Sequence, residues 1–263
     1  MTALRMLDRI TPLVLSYNEE ANIRRLLQSL SWASRVFIID SGSTDATRKI
    51  IAEFPNATCV VRPFDNHAVQ WNFGLSEAGI ATDWVLALDA DYGLPAEFVE
   101  ELKALNPPQD VAGYSAGFRY CIEGVPLRGG LYPPVTVLFR RAGARYVQDG
   151  HTQRLSVSGT LERFRSLLLH DDRKPLEHWL WSQARYMRLE ARKLLTTPIA
   201  ELGLADKLRR LVIVSPVLVF FYCLLIKGNI LDGRRGLLYA LQRGAAEAIL
   251  SMYLVAGALE PRD

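Results

Sequence analysis

Cysteine is scarce in this 263-residue chain: Cys59, Cys121 and Cys223 lie far apart and match neither a disulfide framework nor a zinc-ligand spacing. Such usage points to a reducing compartment. No G-x-x-x-x-G-K-[S/T] and no G-x-G-x-x-G occurs, so neither P-loop NTP hydrolysis nor dinucleotide redox chemistry is indicated. The first nine residues carry charges but no apolar stretch that a signal peptidase would use, so the catalytic part is expected to stay in the cytosol. The longest uncharged run, residues 211–226, has sixteen positions, short of the ~20 that a simple spanning helix needs. There is no internal repeat and no low-complexity linker. The first part also lacks basic clusters interleaved with aromatics, which argues against nucleic acid as a partner.

What charge there is falls unevenly. Residues 1–160 hold 15 Lys and Arg against 17 Asp and Glu, whereas residues 161–263 hold 16 against 11. A basic, apolar tail suits an anionic membrane surface.

The apolar run Trp84-Val85-Leu86-Ala87-Leu88 reads as a buried strand. It ends in Asp89-Ala90-Asp91. Two carboxylates at a strand end lie where open α/β sheets bind ligands, and they suit a divalent metal held against phosphate oxygens. The other reading is an N-cap for the helix that Pro95 opens. Further strands are expected at 10–16, 35–39 and 58–61, with helices at 18–30, 46–54, 65–78 and 95–105. This alternation predicts a parallel, doubly wound sheet. Strands at 111–122, 135–140 and 155–157 continue it as a mixed sheet, and residues 176–195 read as a polar, basic helix.

Asp40 also ends a strand, and Ser41-Gly42-Ser43-Thr44-Asp45 follows as turn chemistry. A carboxylate there suits hydrogen bonds from a base or ribose, while Asp45 reads better as a cap. Ser16, Tyr17, Asn18 and Glu19 form the loop before the first helix, a position that favours anions.

Three motifs in order and spacing resemble the family 2 inverting glycosyltransferases of GT-A fold. They are Pro12-Leu13-Val14-Leu15-Ser16-Tyr17-Asn18-Glu19-Glu20, then Val36-Phe37-Ile38-Ile39-Asp40-Ser41-Gly42-Ser43-Thr44-Asp45, then Asp89-Ala90-Asp91. The resemblance covers roughly the first 105 residues. It implies a nucleotide-sugar donor, UDP- or GDP-linked, with the Ser16–Glu19 loop and Asp40 holding the nucleoside. Asp89 would lie near the ribose and pyrophosphate, and Asp91 would ligate Mg²⁺ or Mn²⁺. Gln70-Trp71-Asn72-Phe73-Gly74 resembles the family's basic-Asn-x-Gly helix, which adds Asn72 to the donor set; Trp71 stands where Arg is usual. Asp149-Gly150-His151-Thr152-Gln153-Arg154 and His170-Asp171-Asp172-Arg173-Lys174 resemble the lipopolysaccharide-core glucosyltransferase subgroup. That subgroup's Val-His-Glu is here Gly150-His151-Thr152.

Inversion needs a base for the acceptor hydroxyl. Asp149, before a glycine that permits a tight turn, is the first choice; His151 is the second, or else a packed loop histidine. His170 would complete the metal shell or touch the diphosphate, as in some GT-A enzymes, or it is a hydrogen-bonded surface histidine. Arg173 and Lys174 read as diphosphate contacts or as a solvated turn. Gln183-Ala184-Arg185-Tyr186 is one residue short of the processive-synthase motif, so no processive enzyme is inferred.

Residues 211–226 are interrupted only by Ser215 and Pro216, and are flanked by Lys207, Arg209, Arg210 and Lys227. A core helix is one reading; an interfacial or re-entrant membrane element is preferred.

The expected architecture is therefore an α/β, GT-A-like, doubly wound mixed sheet (Rossmann-like) with a C-terminal helical, membrane-associating extension. Residues 1–175 would form the catalytic domain, with a nucleotide-sugar half at 1–105 and an acceptor half at 106–175. Residues 176–263 would form the membrane-associated region. The expected activity is metal-dependent, inverting transfer of a hexose to a lipid-linked glycan or lipopolysaccharide core, at the cytoplasmic face of a bacterial inner membrane. One alternative transfers the sugar to polyprenyl phosphate. Another is a non-catalytic nucleotide-sugar-binding membrane protein. A nucleotidyltransferase is weaker, because the phosphate loop it needs after the first strand is absent.

Overall fold

The computed structural model describes residues 5–77, 79–149 and 152–259. Two compact units make up the chain: Met1–Gly124 with Tyr132–Arg173, and Val125–Leu131 with Lys174–Asp263.

In the first unit, strands and helices alternate. They are β1 (Ile10–Ser16), α1 (Ile23–Ser29), β2 (Val36–Asp40), α2 (Thr47–Ile51), β3 (Ala57–Val61), α3 (His67–Glu77), β4 (Trp84–Asp89), β5 (Tyr92–Gly93) and α4 (Ala96–Ala104). After β6 (Val111–Ile122), and the two-residue β7 (Val125–Pro126) that belongs to the second unit, come β8 (Val135–Arg140), β9 (Arg145–Asp149), β10 (Thr152–Ser156) and β11 (Thr160–His170). The main sheet runs β3-β2-β1-β4-β8-β6-β11-β5. β1 pairs in parallel with β2 and β4, and β2 with β3. β8 is antiparallel to β4 and β6, and β5 to β11. The sheet is therefore mixed and α/β, as expected.

Strands buried on both faces read as continuous apolar runs, and β2 is buried throughout. Its residues alternate between faces: Val36 and Ile38 join Leu26, Leu30 and Leu86 on one side, while Phe37 and Ile39 join Leu13, Trp71 and Val85 on the other. Gly74 lets α3 lie directly on β1, because a Cβ there would meet Leu13 Cδ1 at 2.8 Å. The helix expected at 65–78 starts later because Asn66 caps it, accepting the Val69 N–H at 2.9 Å. The strand expected at 155–157 is the end of β10, which starts at Thr152 and pairs with β9 as a hairpin; β9 and the 11-residue β11 are additional.

The second unit holds α5 (Leu176–Thr196), α6 (Leu204–Arg209), α7 (Val214–Phe221) and α8 (Gly233–Leu259). Met187, Ala191 and Leu194 of α5 share a core with Ala246, Leu250 and Leu254 of α8. Arg209 is held by Glu190 at 2.9 Å and Glu247 at 3.1 Å, and Ser215 also donates to Glu247. Val125–Leu131, expected in the acceptor half, packs in this unit. The N–H groups of Arg128, Gly129 and Leu131 donate to Asp232, Asn229 and the Tyr239 hydroxyl. No single helix among the described residues is long and apolar enough to cross a membrane; Val214–Ile226 and Asn229–Ala258 form a pair bent by 72°.

Candidate active site

The registers Ser16↔Asp40, Leu15↔Asp89 and Asp40↔Val61 bring the ends of β1 to β4 to one sheet edge. Asp40 is fully buried there. One of its oxygens accepts the N–H groups of Gly42 (3.1 Å) and Ser43 (2.8 Å), and the other accepts the hydroxyls of Ser16 (2.8 Å) and Ser43 (2.5 Å). These four contacts brace the loop that Asp40 opens. Gly42, at φ +86°, makes that tight return possible. Asp45 caps as expected, accepting the Thr47 N–H at 3.0 Å.

The same loop is knitted to the one after β1. Asn18, at φ +52°, donates its N–H to Ser43 Oγ and accepts the Thr44 N–H, and the Glu19 N–H donates to Thr47. Tyr17 stays exposed. The two loops form one rigid rim. Gln70, which sequence reasoning missed, sits fully buried and donates to Ser41 Oγ at 3.0 Å.

Asp89 and Asp91 diverge. Asp89 is the last residue of β4, while Asp91 precedes β5. β5 pairs with the end of β11 through Leu169↔Gly93 and His170↔Tyr92, and the Asp171 N–H donates to the Asp91 carbonyl at 3.0 Å. These contacts set His170 Nε2 3.5 Å from Asp91 Oδ2, with the side chains 13% and 17% exposed. The sheet thus joins two of the metal candidates. His170 stacks on Tyr120 and packs against Tyr132. Tyr92 and Tyr132 share a hydroxyl hydrogen bond of 2.8 Å. Burial first, and then the charge of Asp89, pushes both phenols well up, so they stay protonated. Burial and Asp89 do the same to Tyr146. A carboxylate and an imidazole facing each other are a donor pair that suits Mn²⁺ better than Mg²⁺, which prefers oxygen. No group of three or more His, Cys, Asp or Glu suited to an ion exists among the described residues, so an ion held here would take its other ligands from phosphate oxygens and water.

Asn72 of α3 reaches β9. Its amide donates to the Tyr146 carbonyl at 2.9 Å and accepts the Tyr146 N–H at 2.8 Å. It acts as a surrogate strand partner for β9. Trp71 is buried and stacks on Tyr146 at 5.4 Å. Together they fix β9, whose last residue is Asp149. The side chain of Asp149, and the whole of His151, lie outside the described residues.

The family model described as Glycosyl transferase family 2 matches residues 13–146, just over half of the chain. Lipopolysaccharide core biosynthesis glycosyltransferase LpsC of Rhizobium meliloti (strain 1021) is 28% identical over 183 residues, covering 62% of this chain and 65% of its own. An uncharacterized glycosyltransferase of Rickettsia bellii (strain RML369-C) is 35% identical over 109 residues, covering 41% and 36%. The chain thus spans from about a third to just under two thirds of the length of these relatives. Among solved structures, Staphylococcus aureus TarS 1–349 in complex with UDP-GlcNAc aligns at a TM-score of 0.49 and 16% identity, over 95% of this chain and 91% of that one.

Proposed function

The chain belongs to glycosyl transferase family 2, and from that premise we propose that it moves a hexose from a UDP- or GDP-sugar, with inversion, to a lipid-linked glycan or lipopolysaccharide-core acceptor. The Asp91–His170 pair beside the double-loop rim is the observation that carries this reading. The similarity to LpsC supports the choice of acceptor.

In this mechanism the Ser16–Glu19 loop, braced by Asp40, holds the nucleoside. Asp89 faces the ribose and pyrophosphate. Asp91 and His170 hold Mg²⁺ or Mn²⁺, which when bound would offset the negative charge that builds on the leaving diphosphate. The acceptor oxygen forms its bond to the anomeric carbon on the face opposite the departing phosphate oxygen. The acceptor proton passes to Asp149, with His151 as second choice. The nucleoside diphosphate leaves with the bond pair.

The test is incubation of the full chain with UDP- and GDP-hexoses, Mn²⁺ and a membrane lipid extract. Transfer with one donor is expected. A matching donor at about 100 times its Kd also stabilises the fold by about 2.7 kcal/mol through mass action, readable as a thermal shift. A folded protein that neither transfers nor hydrolyses any of these donors sinks the reading.

The acceptor implies a membrane, and the helical unit supports one. Leu204, Ile213, Ile226 and Leu231 are 76%, 83%, 74% and 69% exposed, and Lys207, Arg210 and Lys227 are interspersed with them along the chain. Exposed apolar side chains with basic flanks suit partial insertion at an anionic surface, here the cytoplasmic face of the inner membrane. The protein is expected to co-sediment with phosphatidylglycerol vesicles, and the double variant Ile213→Glu/Ile226→Glu to weaken that binding at least tenfold. Equal binding by variant and wild type removes this face as the docking element.

A further inference from the structure

We propose that Arg25, Asn22 and Asp171 form a positioning cluster that fixes His170 opposite Asp91, an inference that rests on reading this pair as cation donors. β11 ends at His170, held on one side by its parallel pairing with β6, where His170 faces Tyr120, and on the side of Asp91 by a bridge to β5 only two residue pairs long. The next three residues are held instead by side chains of the first helix. Asp171 is 3% exposed. Its Oδ1 accepts the Gly124 N–H at 2.9 Å, and its Oδ2 accepts Arg173 Nε at 2.9 Å and lies 3.4 Å from Arg25 Nε. Arg25 also donates through Nη2 to the Asp171 carbonyl at 2.5 Å. Asn22, 1% exposed, brackets the following residues: its Nδ2 donates to Asp172 at 2.9 Å and its Oδ1 accepts the Arg173 N–H at 3.0 Å.

The same helix turn holds the donor loop, since Asn22 Nδ2 also donates to Glu19 at 2.8 Å. The rim for the nucleoside and the strand end bearing His170 are therefore fixed by one set of side chains. Residues that orient metal-binding groups from behind typically control metal affinity by 10- to 100-fold. Lysine cannot replace Arg25 here, because one ammonium cannot present two separated donors to the carbonyl and the carboxylate.

The test compares Arg25→Gln, Arg25→Lys and His170→Ala with wild type. Mn²⁺ affinity is read by electron paramagnetic resonance, with and without UDP, alongside thermal midpoints. His170→Ala is expected to weaken Mn²⁺ at least tenfold, and both Arg25 variants by about tenfold, while remaining folded. Wild-type Mn²⁺ affinity in both Arg25 variants, with loss in His170→Ala, overturns the cluster's role. Wild-type affinity in His170→Ala overturns the cation reading itself, and the positioning role with it. If the Arg25 variants do not fold, Asn22→Ser is read by the same measure; if that also fails to fold, the cluster is purely structural and the proposal falls.

Discussion

Asp91→Asn is expected to lower kcat/KM for sugar transfer about 10³-fold, equal to about 4 kcal/mol of lost transition-state stabilisation. The substitution keeps size and shape. It also leaves untouched the backbone contact that fixes the position, the Asp171 N–H to the Asp91 carbonyl at 3.0 Å. What it removes is the charge facing His170 across 3.5 Å. A neutral amide and one imidazole are a poor donor set for Mg²⁺ or Mn²⁺, so the diphosphate must leave without its counter-charge. Losing a charge that also helps to neutralise the bound diphosphate lowers kcat and raises the donor KM, so kcat/KM falls the most. The nucleoside loops are not altered, so UDP or GDP should still bind through the rim, though more weakly. The measurement is steady-state transfer over a range of Mn²⁺, with the thermal midpoint as a check on folding. A folded variant with wild-type kcat/KM removes Asp91 from the reaction.

How much of this site could be read in the sequence follows from how each part is built. β1, β2 and β4 are mostly apolar because both faces are covered, and each delivers a polar last residue, Ser16, Asp40 or Asp89, to the same edge; that signal is local. β11 gave no such signal. Its buried apolar residues, Phe164 and Leu168, are four apart, a spacing that fits one face of a strand and one face of a helix alike. Apart from Leu161, the rest of Thr160–Ser166 is polar, which leaves no apolar run to mark the strand. The positions of Asp40 and Asn72 were legible but these contacts were not. Asp40 meets Ser16, a partner 24 residues away, and Asn72 meets Tyr146, 74 residues away. Only the fold brings such distant partners together. Asn22 carried no motif, and Asp171 lay in one that gave it no role, since their work lies in contacts between the first helix and the end of β11.

Asp149→Asn is expected to lower kcat by 10²- to 10⁴-fold, about the contribution of a positioned general base. The backbone case for Asp149 is indirect but specific. It is the last residue of β9, a strand held at Tyr146 by both arms of the Asn72 amide and by the Trp71 ring, and it pairs with Thr152 across the hairpin. A polar anchor and an aromatic stack spent on one short strand give its tip a defined place. The amide keeps the shape of the carboxylate but takes no proton. An acceptor hydroxyl would then have to attack without losing its proton, so kcat falls while the donor KM changes little. The competing reaction gives the opposite result. Polyprenyl phosphate arrives already anionic and needs no base, so the variant would transfer at the wild-type rate. Unchanged turnover therefore leaves two possibilities, a phosphate acceptor or His151 as the base. His151→Ala separates them: loss of turnover assigns the base to His151, and full activity in both variants assigns a phosphate acceptor.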